Sequence, residues 1–85
     1  MMETERLIKM ANDISNFFSA EPDRTVAVQG TANHIRKFWE PRMRQGIIHY
    51  RQSGSTGLSE IAGLAVDKLI SEAGSAGQDS VVGSE

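Results

Sequence analysis

The chain has 85 residues, no cysteine, and a formal net charge of −2. The missing cysteines exclude disulfide staples and thiolate-held metals, and the slight acidity argues against a protein that grips nucleic acid over its whole surface. A chain this short forms one domain at most and buries only about 60–65% of the surface its unfolded form exposes, so its thin core has reason to lean on a partner.

No apolar run approaches the roughly 20 residues a membrane-spanning helix needs. The opening Met1-Met2-Glu3-Thr4-Glu5 is acidic and lacks an apolar core, so no signal peptide and a cytoplasmic location are expected.

The spacing predicts a first helix over Glu3 to Phe18, with Leu7, Met10, Ala11, Ile14, Phe17 and Phe18 at steps of three and four. Glu3 and Glu5 sit in its first turn, where the helix dipole favours acids. Ser19 to Pro22 break the pattern, and Pro22 suits the first turn of a second helix over about Asp23 to Trp39. Val28, Ala32, Ile35, Phe38 and Trp39 form its stripe, with Asn33, Arg36 and Lys37 away from it. Gly30, inside that helix, costs about 1 kcal/mol against alanine, which close approach by a neighbouring helix would explain.

Pro41 disfavours helical geometry at Glu40, so a corner is expected between Trp39 and Arg42. A short third helix follows from Pro41 to about Gln52, with Met43, Ile47 and Tyr50 on one side. The stretch 53–57 reads as a flexible loop. Ser59 is a good N-cap for a last helix through about Ala73, with Leu58, Ile61, Ala62, Ala65 and Leu69 inward and Gly74 as its C-cap. The expected fold is therefore all-α: a small bundle of three to four helices over residues 1–74, followed by a disordered Gly/Ser-rich tail over 75–85.

Catalytic chemistry finds little footing. There is no phosphate-cradling glycine loop, no HExxH and no strand pattern for a dinucleotide-binding unit. His34 and His49 lie fifteen residues apart without carboxylates at ligand spacing, so a zinc site built on them would be under-coordinated. No catalytic, cofactor-binding or metal-binding residue is assigned.

The stretch from His34 to Arg44 is the most unusual, holding four of the nine Lys and Arg residues, the only tryptophan and Pro41. Three readings stand. Phe38 and Trp39 can be core beneath a solvated basic face. The arginines can grip phosphates while Trp39 or Tyr50 stacks on bases, a reading the net acidity ranks last. Or the segment docks on a protein, since Trp, Arg and Met are enriched where interfaces concentrate their energy. The first and third are compatible. The residues assigned to docking are His34, Lys37, Phe38, Trp39, Pro41, Arg42, Met43 and Arg44.

Two blocks carry a family resemblance. Met10-Ala11-Asn12-Asp13-Ile14 followed by Phe17-Phe18 is similar to an opening helix of the form M-A-N-x-I-x-x-F-F. His34-Ile35-Arg36-Lys37-Phe38-Trp39-Glu40-Pro41-Arg42-Met43-Arg44 is similar to H-I-x-K-F-W-x-P-R-M-R. With Gly57-Leu58-Ser59 leading into the last helix, the likeness spans about residues 7 to 70. In these blocks the chain resembles the small delta subunit of soluble, NAD-dependent, molybdenum- or tungsten-containing formate dehydrogenases. Gly30 and Gly46 leave two helices less helix-favouring than that family's pattern.

The resemblance implies an accessory subunit with no redox centre, docked on a large catalytic subunit and stabilising it or supporting assembly or cofactor insertion. That large subunit would hold a bis-pterin molybdenum or tungsten cofactor and iron–sulfur clusters, while other subunits carry FMN and reduce NAD. A dissociable maturation chaperone for the large subunit is the alternative, and a small helical nucleic-acid-binding regulator is a more distant one.

Overall fold

Local capping chemistry sets most of the helix limits. The computed structural model describes residues 2–54 and 56–83, with side chains over 3–54 and 56–72. It contains α1 (Met2–Phe18), α2 (Arg24–Phe38), α3 (Pro41–Gln52) and α4 (Glu60–Gly83), and no strand among the described residues. The all-α bundle expected from the periodicity is thus what forms, with four helices.

Asp23 is the N-cap of α2: its backbone is extended, and its carboxylate accepts from Thr25 N–H at 2.9 Å. Pro22 therefore stands one residue before the cap, outside the first turn expected of it, because the Asp23 side chain takes the capping position. Pro41 is the first residue of α3 after an extended Glu40, where its missing N–H costs nothing. Past α3, Gly54 adopts φ +108°, a left-handed conformation that glycine reaches without penalty as the chain leaves a helix. Ser59 caps α4, its hydroxyl accepting from Ala62 N–H at 3.2 Å. Contrary to expectation, the last helix does not end near Ala73 with Gly74 as its C-cap, because its backbone stays helical to Gly83; the side chains from Ala73 onward and residues 84–85 lie outside the described residues.

The core draws on all four helices: Leu7 and Ala11 of α1, Ala32, Ile35 and Trp39 at and after α2, Ile47 of α3, and Ala62, Ala65, Val66 and Leu69 of α4. So many alanines bring backbones close, and two glycines bring them closer. A Cβ on Gly30 would lie 2.5 Å from the Phe18 ring, and one on Gly46 would lie 2.8 Å from Leu7 Cδ1. Neighbour approach therefore accounts for Gly30, as expected. Phe18 against Gly30 and Leu7 against Gly46 lock α1 onto α2 and α3.

Helices α2 and α4 run parallel, as two ion pairs of identical offset show: Arg24 with Glu60, and Arg36 with Glu72 in a forked pair at 2.6 and 2.7 Å. Arg51 ties α3 to the same helix through Asp67, at 2.8 Å from both Nε and Nη2.

Two aromatics leave the stripes assigned to them. Phe17 is 76% exposed and Phe38 71% exposed. Each sits at the edge of its helix's apolar arc, beside the end of that helix, where no neighbour covers it. Small or polar residues occupy interior places instead: Ala27 and Thr31 on α2 and Ser15 on α1 are buried. Their hydroxyls are satisfied locally, Thr31 donating to Ala27 O at 2.9 Å and Ser15 to Asn12 O at 2.8 Å.

Candidate functional site

The corner between α2 and α3 is built by three consecutive residues with distinct tasks. Trp39 ends α2 with its N–H on Ile35 O at 3.0 Å and then turns to extended geometry, as does Glu40. Pro41 starts the next helix, and Arg44 N–H reaches back to Glu40 O at 3.0 Å. The bend is thus fixed by backbone bonds at both ends and by a ring that cannot rotate about φ.

The residues assigned to docking separate into two groups here. Trp39 is only 4% exposed and belongs to the core. Met43 is half-buried and packs against that core. Arg44 is half-buried too: its Nη1 donates to Trp39 O at 2.7 Å and to Arg36 O at 3.4 Å. Arg44 therefore satisfies carbonyls left open at the end of α2, where a cation is also favoured by the dipole. That pair of bonds gives Arg44 a part in folding besides the docking role assigned to it. Lys37, Phe38, Pro41 and Arg42 are the exposed members, and His34 is half-buried with its ring 4.8 Å from that of Phe38.

Beside the corner, α1 and α2 enclose a shallow furrow of about 360 Å³ lined by Asp13, Ile14, Phe17, Phe18 and His34. Phe17 and Phe18 meet edge to face at 5.1 Å. His34 links this furrow to Phe38, so one aromatic surface runs from the end of α1 to the corner. Sequence reasoning placed Phe17 and Phe18 inside; the only available signal was their position at the end of a stripe, next to a turn. His49 is exposed on α3, and His34 and His49 are not joined in one site.

A second arrangement holds the loop before α4. Asn12 Nδ2 donates to Gly57 O at 2.9 Å while its Oδ1 accepts from Ser59 N–H at 2.8 Å, so one side chain closes the loop as a partner strand would. The Ser15 and Ser59 hydroxyls lie 2.8 Å apart, and Gly57 N–H donates to the Tyr50 hydroxyl at 2.9 Å. Helical periodicity did not point to Asn12, and only its place in the M-A-N-x-I block marked it.

In the Arg51–Asp67 pair both groups are shifted. The Arg51 guanidinium hydrogen-bonds the Asp67 carboxylate and holds it below its ordinary range, while Asp67 raises Arg51 in return.

No group of three His, Cys, Asp or Glu among the described residues is placed to hold a metal, and the chain has no cysteine for an iron–sulfur cluster. Among the described residues the donor set does not fit an iron–sulfur cluster. No described helix is long and apolar enough to cross a membrane.

The sequence profile of the NADH-dependent formate dehydrogenase delta subunit FdsD matches residues 6–66. The chain belongs to this family. No curated protein and no solved structure matches it significantly. The matched span takes in most of α1, then α2, α3 and the first turns of α4, so it contains the corner, the furrow and the Asn12 clamp of this delta-subunit chain. Both sequence blocks acquire a physical reading: Ala11 and Asn12 are respectively core and loop clamp, while Trp39, Pro41, Met43 and Arg44 build the corner.

Proposed function

We infer that this chain is a non-catalytic accessory subunit of formate dehydrogenase that docks on the large catalytic subunit through the α2–α3 corner and stabilises it or supports its assembly. The carrying observation is Phe38, a large aromatic left 71% exposed between Lys37 and the Pro41-fixed turn of Arg42. A preorganised corner loses less entropy on docking than a mobile loop, and Arg42 offers a planar fork suited to carboxylates or carbonyls. Trp39, Met43 and Arg44 serve this surface from behind by fixing its shape, and His34 supports Phe38 through ring contact. On this reading the bis-pterin molybdenum or tungsten centre, the iron–sulfur clusters, FMN and NAD belong to the other subunits, and the assembly works in the cytoplasm. The reading is tested by isolating active enzyme through a tag on the large subunit and measuring how much of this chain accompanies it. Stoichiometric retention is expected. Active enzyme free of the chain would instead favour a dissociable maturation chaperone.

A further inference from the structure

We draw no further inference here: the strongest candidate, the apolar furrow between α1 and α2 lined by Ile14, Phe17, Phe18 and His34, is an unpartnered face, and nothing in the structure shows what covers it.

Discussion

Removing the Asn12 amide should open the loop before α4, and the structure bounds the size of the effect. Asn12 makes two bonds to backbone across the molecule, donating to Gly57 O and accepting from Ser59 N–H. Gly57 is exposed, so water replaces the first bond in an Asn12→Ala variant and little is lost there. The Ser59 N–H is partly buried, and an intramolecular bond of that kind contributes about 1 kcal/mol net, more when the donor is left dry. Ser59 also caps α4, and a slackened cap costs about 0.5–1 kcal/mol more. Alanine's better helix propensity offsets roughly 0.5 kcal/mol. The net loss of about 1–2 kcal/mol corresponds to a fall in Tm of about 5–15 °C for a domain of this size. Thermal melting by circular dichroism measures it, and hydrogen exchange at the Ser59 amide locates it. A Tm within about 2 °C of wild type, with Ser59 protection unchanged, would refute the clamp.

Arg44→Ala should lower the melting temperature by loss of the carbonyl cap, whereas Arg42→Ala should melt as wild type. In docking the order reverses: Arg42→Ala should weaken binding by about 2–5 kcal/mol if its partner carboxylate is desolvated in the complex. Equal melting of the two variants would contradict the corner geometry. Trp39→Ala removes a core ring and should cost about 3–5 kcal/mol, enough to unfold much of so small a domain; retained native circular dichroism would disprove its core role. Asp67, held low by Arg51, contributes its stability fully above the ordinary carboxylate pKa of about 3.9. That contribution is lost as pH falls through the lowered folded value, and it is small because the side chain is half exposed. Asp67→Asn should therefore shallow the acid limb of Tm against pH below about pH 4, while an unchanged limb would show the pair to be inert.

Boundaries were legible in the sequence where a single residue enforces them. Pro41 and Ser59 act within three or four residues of themselves, so their effect does not depend on the fold. The stripe of α4 was legible for the same reason, as Ala62, Ala65 and Leu69 follow the helix period without interruption. Phe17 and Phe38 were not, because periodicity marks which face a residue shares but not whether a neighbouring helix extends far enough to cover it. Asn12 was illegible in a different way: its partners lie 45 and 47 residues away, and helical periodicity does not distinguish such an asparagine from one facing solvent. Arg44 looked like its neighbour Arg42, and only the path of α2's last turn separates them.

That separation follows from helical geometry within one turn of α3. Successive residues turn by about 100°, so Arg42 and Arg44 stand about 200° apart and cannot serve the same surface. Met43 lies between them in angle and packs on the core. Arg44 is turned back to the carbonyls of Trp39 and Arg36, which leaves Arg42 on the outside, beside the residues of α1's first turns. One tripeptide after a proline thus supplies a core plug, an internal cap and an outward cation. The cap holds the end of α2 in place, and with it Phe38, the exposed ring of the corner. Arg44, by its bonds to Trp39 O and Arg36 O, fixes the helix end beside which Arg42 stands outward.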